Sequence, residues 1–148
     1  QNKAPNLKKI FEDQKLIKIF HYARFDVAVL KKYLSVDVAP SYCTKIASKL
    51  VRTYTDRHGL KDLTRELLDV DISKQQQSSN WGAEKLSSAQ LEYAASDVYY
   101  LHKMMDKLNQ MLETSERTKI AQECFDFIPT RCNLDLKGWE NVDIFAHS

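Results

Sequence analysis

The sequence predicts an α/β fold in which helices pack on a small sheet. Strand-like runs alternate with helical patterns in the first half of the chain, and helical patterns occupy the second half. That order is typical of helices layered on a sheet. Only three glycines and three prolines occur in 148 residues, which favours long regular elements over turns. A chain of this length fits one domain, so residues 1–148 are predicted to form a single unit.

The first third of the chain is predicted to hold two strands separated by a helix. An amphipathic helix over residues 6–14 precedes a short apolar strand over residues 16–20. Apolar residues then recur at helical spacing between residues 24 and 33. Residues 36–43 form a second extended piece that contains a proline.

Two further helices and a polar stretch occupy the middle of the chain. Thr44 is predicted to cap a helix whose apolar residues recur between 46 and 51. A leucine stripe predicts a second helix over residues 60–68. The polar stretch 69–82 has Trp81 as its only large aromatic residue and is a candidate binding loop.

Long helices dominate the second half. Ser87 and Gln90 resemble a capping box that opens a long helix reaching Leu112. A last helix is predicted over residues 116–127, with Pro129 ending it. Two predicted strands cannot shield so many helices, so strands at the N-terminal edge of the sheet are expected to be missing from this chain.

Composition and charge narrow the class of protein. No apolar run approaches the roughly 20 residues of a membrane span, and three cysteines without a CxxC pattern indicate reduced thiols in a cytoplasmic protein. The net charge is +2, but the region 45–65 holds six basic residues against two acidic ones. Such a region either faces phosphates or forms a solvated helix face, and the sequence leaves both interpretations open.

Three oxygen-bearing side chains could carry chemistry. Asp26 ends the stretch HYARFD, where a strand gives way to a helix, and Tyr93 and Asp97 are four residues apart on the long helix, hence on one face. Carboxylates are the ligands that Mg²⁺ prefers, and a phenol can orient an attacking water. A helix cap at Asp26 and a surface pair on the helix are the alternatives.

These residues fall within longer stretches that resemble a known family. KIFHYARFDVAVL resembles the second exonuclease motif of ribonuclease D-like proteins, in which an H-x-A-x-x-D block supplies a metal-binding aspartate, here Asp26. LSSAQLEYAASDVYYL resembles their third motif, Y-x-x-x-D, with Tyr93 and Asp97 in place. GLKDLTRELL and DISKQQQSSNWG resemble the helix and polar loop between the motifs, so the resemblance covers roughly residues 5–115.

The family resembled is the tyrosine branch of the DEDD 3′–5′ exonucleases, with a ribonuclease H-like fold and a mixed sheet. The resemblance implies hydrolysis of RNA, or alternatively single-stranded DNA, from the 3′ end to nucleoside 5′-monophosphates. It further implies two Mg²⁺ or Mn²⁺ ions on Asp26 and Asp97, with Tyr93 as a third catalytic residue. The nucleic-acid contacts that it suggests are His21, which could also pack in the core, Arg52, Arg57, Lys74, Gln77 and Trp81.

One motif of the resembled family is absent. The sequence before Asp26 contains no D-x-E pattern, so two of four expected carboxylates are missing. Either the chain is a fragment of a longer exonuclease, which the intact second and third motifs favour, or it is a catalytically incomplete nucleic-acid-binding module. In both cases the chain alone is expected to cleave RNA poorly or not at all.

Overall fold

The computed structural model describes residues 5–72 and 88–147, with the side chains of residues 6–72 and 99–147. Helices enclose a small parallel sheet, which confirms the predicted α/β class. The elements in chain order are α1 (Pro5–Glu12), β1 (Lys18–Phe20), α2 (Ala23–Leu34), β2 (Ser41–Cys43), α3 (Thr44–Val51), α4 (Leu60–Leu68), α5 (Ser88–Thr114), α6 (Thr118–Leu134) and a π-helical segment, Asp135–Trp139.

The described sheet consists of β1 and β2 in parallel. Lys18 lies opposite Ser41 and Phe20 lies opposite Cys43. Parallel neighbours need a crossover connection, and α2 supplies it. The crossover brings the start of α2 beside the start of α3, because both helices follow directly from the carboxyl ends of the two strands.

The core lies where α5 and α6 pack on the sheet and its flanking helices. Met104, Leu108 and Leu112 of α5 are at most 1% exposed, and their spacing of four residues places them on one helical face. The ring of Phe125 in α6 packs on Tyr42 of β2 with 4.5 Å between centroids. Burial of this apolar face is the main force that holds the helices to the sheet.

The end of α6 differs from the prediction. The helix continues to Leu134 with Pro129 inside it, so the prediction that Pro129 ends the helix was wrong. Proline removes one helical hydrogen bond and clashes with the preceding turn. Ile128 and Cys132, which are buried on both sides of the proline, keep the helix packed across this break.

The start of α3 also differs from the prediction. Thr44 is the first helical residue, Cys43 occupies the cap position, and no side-chain cap hydrogen bond forms there. The capping interpretation of Thr44 was wrong because its hydroxyl donates to the carbonyl of Phe20, at the end of β1, instead. The predicted capping box at Ser87 and Gln90 lies outside the described residues and side chains.

In the part of the chain that is described, no helix combines the length and apolar character needed to cross a membrane.

Candidate active site

Asp26 lies in the first turn of α2, immediately after the turn that follows β1. Its backbone N–H and that of Phe25 both donate to the carbonyl of Tyr22, each at 3.1 Å. The carboxylate is therefore close to the carboxyl end of a sheet strand. It also lies near the positive end of the helix dipole, which favours the ionised form.

The Asp26 side chain is half-buried, and burial raises the pKa of its carboxyl group. None of the hydrogen bonds or ion pairs among the described side chains involves this carboxylate, and no group of three or more metal-binding side chains occurs among them. A desolvated carboxylate with no cationic partner gains most from a bound cation. This donor fits a divalent metal, although it supplies only one ligand by itself.

Tyr93 and Asp97 lie on α5, within Ser88–Thr114. Their spacing of four residues places both on one face of that helix. Their side chains are not among those described, so their orientation toward Asp26 remains a prediction. Lys74, Gln77 and Trp81 lie outside the described residues, and their contact with nucleic acid also remains a prediction.

His21 follows β1 and is half-buried. Its Nδ1 atom lies 2.9 Å from the hydroxyl oxygen of Thr44. Burial, together with the nearby charge of Lys45, lowers the pKa of His21 to about 4. The imidazole is therefore neutral at physiological pH and contacts Thr44. Its contact with nucleic acid remains a prediction.

Arg52 lies inside the protein. Its side chain is 3% exposed, and its guanidinium donates to the hydroxyl of Ser48 at 2.9 Å, to the carbonyl of Arg57 at 2.7 Å and to Glu66 at 2.7 Å. The prediction that Arg52 contacts nucleic acid was wrong, because the side chain is buried and these internal acceptors occupy its Nη1 and Nη2 donors, while Nε is buried without a partner among the described residues. The side chain of Arg57 is exposed and stays a candidate contact.

The sequence analysis missed a set of buried polar groups beside the turn. Thr44 and Ser48 are both 0% exposed, and the Ser48 hydroxyl lies 2.7 Å from Nδ1 of His58. Thr44, Ser48 and Arg52 are spaced by four residues and so share one face of α3. The signal available in the sequence was the recurrence of polar residues every four positions beside the apolar residues of α3, which indicates a polar helical face.

Comparison with known proteins agrees with the fold. Residues 1–113 match the model of a protein family described as 3′–5′ exonuclease. The chain belongs to this family, in its ribonuclease D-like DEDD group, and shares its ribonuclease H-like fold. Members of the family are divalent-metal-dependent enzymes.

Three relatives illustrate the similarity. The chain superimposes on Brucella melitensis NrnC with a TM-score of 0.92 at 63% identity, covering 100% of this chain and 72% of that one. It is 35% identical to DNA polymerase I of Aquifex aeolicus over 72% of its own length and 18% of the polymerase. It is 32% identical to ribonuclease D of Gluconacetobacter diazotrophicus over 73% of its own length. The chain thus spans about a quarter, 27%, of that ribonuclease D.

Proposed function

We propose that this chain forms the core of a 3′–5′ exonuclease that hydrolyses RNA to nucleoside 5′-monophosphates. The observation that carries the proposal is the Asp26 carboxylate, half-buried and without a cationic partner among the described residues, at the carboxyl end of β1. Membership of the 3′–5′ exonuclease family supports the direction of cleavage.

Asp26 and Asp97 would hold the divalent cation, Mg²⁺ or Mn²⁺, and two ions are part of the proposal. When bound, such a cation lowers the pKa of a coordinated water and stabilises charge on the phosphate. Brucella melitensis NrnC has been solved with bound Mg²⁺, which supports the choice of metal.

Residues of this chain would position the attacking water and the cation. The Tyr93 phenol would orient the attacking water through a hydrogen bond. Asp26 would hold a fixed place, since its backbone N–H is tied to the turn after β1. Partial exclusion of water from this carboxylate strengthens its interaction with positive charge.

The proposed substrate is the 3′ end of short single-stranded RNA. Brucella melitensis NrnC has been solved bound to pGG, and a short ligand of this type is the first to test. The exposed side chain of Arg57 and the predicted loop residues Lys74, Gln77 and Trp81 would contact the strand through phosphates and base stacking. Single-stranded DNA is the second substrate to test.

One observation favours a second candidate function. The printed sequence contains no D-x-E pattern before Asp26, and a protein without those two carboxylates would bind nucleic acid without cleaving it. A nucleic-acid-binding module without cleavage would bind RNA in a salt-dependent manner that a chelator leaves unchanged.

The test is digestion of a 5′-labelled single-stranded RNA with Mn²⁺. Four proteins are compared: the chain as printed, a form extended by its native N-terminal residues, and the extended form with either Asp97→Asn or Asp106→Asn. Asp106 is an exposed aspartate on the same helix and serves as the matched control. Shortening from the 3′ end by the extended form and by Asp106→Asn, but not by Asp97→Asn, would support the exonuclease. RNA binding without cleavage by all four would support the binding module.

A further inference from the structure

The turn that carries Asp26 has no side-chain cap of its own. Tyr22 occupies the cap position of α2 without a side-chain cap hydrogen bond, and its carbonyl accepts from the N–H groups of Phe25 and Asp26 at 3.1 Å. The N–H of Ala23, the first helical residue, donates to the sulfur of Cys43 at 3.5 Å. The position of the Asp26 backbone therefore depends on how the Tyr22 peptide group is oriented.

The end of β2 and the start of α3 hold the backbone on the strand side of this peptide. The carbonyl of Phe20 accepts from the Thr44 hydroxyl at 3.3 Å. The carbonyl of His21 accepts from the Lys45 N–H at 3.2 Å and from the Cys43 thiol at 3.3 Å. Three consecutive residues, the last of β2 and the first two of α3, thus hold two consecutive carbonyls, the last of β1 and the first of the turn that follows it.

Thr44 adds a side-chain contact to these backbone contacts. Its side chain is 0% exposed, and its hydroxyl oxygen lies 2.9 Å from Nδ1 of His21. A hydroxyl donates one hydrogen bond and accepts others. The Thr44 hydroxyl therefore contacts both the Phe20 carbonyl and the His21 imidazole, whose Nδ1 donates or accepts according to its tautomer. Removing the hydroxyl would leave both groups without this partner in a buried site.

We propose that Thr44 is a positioning residue for Asp26, acting through the β1–α2 turn. This role rests on the proposed function, since the place of the carboxylate matters to catalysis only if it binds the divalent cation. Groups that orient a metal ligand typically contribute about 10- to 100-fold to metal affinity or activity. A catalytic group displaced by about 1 Å can lower the rate about 100-fold.

The test compares Thr44→Val, Thr44→Ser and Thr64→Val in the full-length native protein. Valine keeps the shape of threonine and removes the hydroxyl, whereas serine keeps the hydroxyl. Thr64 is the matched control because it is also 0% exposed, and its hydroxyl lies within hydrogen-bond distance of the carbonyls of Leu60 and Lys61 in α4 at 3.0 and 2.9 Å. Should Thr44→Val fail to fold, Thr44→Ala takes its place.

The readouts are the Kd for Mn²⁺ by calorimetry and the free energy of unfolding in urea. We expect Thr44→Val to weaken Mn²⁺ binding about tenfold or more, Thr44→Ser to restore it, and Thr64→Val to lose stability with unchanged Mn²⁺ binding. Equal Mn²⁺ affinity in Thr44→Val and the unmodified protein, with cleavage intact, would overturn the role of Thr44 alone. Failure of the unmodified protein to bind Mn²⁺ and to cleave RNA would reject the proposed function, and this role with it.

Discussion

Arg52 and Glu66 form an ion pair of 2.7 Å between Nη2 and Oε1 in which only one partner is buried: the side chain of Arg52 is 3% exposed and that of Glu66 is 38% exposed. The pair links the end of α3 to α4. Because Ser48 and the Arg57 carbonyl also accept from this guanidinium, the whole loop between the two helices depends on one cation.

Arg52→Ala is therefore expected to lower the free energy of unfolding by about 2–4 kcal/mol, since it removes a buried cation together with its hydrogen bonds to the Ser48 hydroxyl, the Arg57 carbonyl and the Glu66 carboxylate. Urea unfolding followed by circular dichroism measures this loss. Arg65→Ala is the control, because Arg65 pairs with Asp71 at the surface, with side-chain exposures of 62% and 71%, and should lose at most about 1 kcal/mol. Equal losses in the two variants would contradict the structural role of Arg52.

His21 should make stability depend on pH between its folded and unfolded pKa values. Burial lowers the pKa of His21 from 6.5 to about 4, so the unfolded chain binds this proton at a higher pH than the folded protein does. Stability is then expected to fall as pH decreases from 6.5 toward 4, on the order of 2–3 kcal/mol in total.

The measurement is urea unfolding at pH 7, 6 and 5. His21→Asn should remove most of this dependence, whereas His102→Asn, at an exposed position on α5, should leave it unchanged. The pKa of Glu66 is lowered from 4.5 by its hydrogen bond to Arg52, so its contribution is lost only at more acidic pH. An unchanged slope in His21→Asn would show that another group is responsible.

Asp26→Asn should leave the fold as stable as before or make it more stable. Burial raises the pKa of this carboxyl group, which means that the charged form is disfavoured by its surroundings in the metal-free protein. Removing the charge is expected to leave the free energy of unfolding at pH 7 unchanged or slightly higher, because solvent partly screens this half-buried carboxylate. A clear loss of stability, measured in urea without divalent metal, would indicate that Asp26 has a structural role instead.

The segment after α6 should depend on one carboxylate. Asp135 accepts from Arg24 Nε and Nη2, each at 2.7 Å, and the hydrogen bond from Arg24 lowers the pKa of Asp135. Such a bidentate, charge-assisted contact is stronger than a single neutral hydrogen bond. Asp135→Asn is expected to raise hydrogen exchange in residues 136–147 several-fold while the core helices stay protected.

The control for this experiment is Asp126→Asn, because the Asp126 carboxylate accepts from Gln122 on the exposed face of α6. Hydrogen exchange detected by mass spectrometry separates the two segments. Equal exchange of residues 136–147 in both variants would show that Arg24 and Asp135 do not hold this segment.

The features that could be predicted from the sequence are those that depend on short-range patterns, namely the strand-to-helix junction at Asp26 and the helices α2 and α4. The apolar run before HYARFD placed Asp26 at a strand-to-helix junction, and the spacing of apolar residues found α2 and α4 closely. Arg52 was assigned wrongly because counting charges along the chain does not tell which helical face is buried, and its partner Glu66 lies 14 residues away. Pro129 was assigned wrongly because tertiary packing of α6 outweighs the local cost of proline.

The most direct test of the central claim is titration of Mn²⁺ into the full-length protein and its Asp26→Asn variant. If Asp26 is a metal ligand of a 3′–5′ exonuclease site, the variant should bind Mn²⁺ at least about tenfold more weakly while its unfolding in metal-free urea stays unchanged. RNA cleavage should fall in parallel. Equal Mn²⁺ affinity in the two proteins, together with undiminished cleavage, would contradict the assignment of Asp26 to the active site.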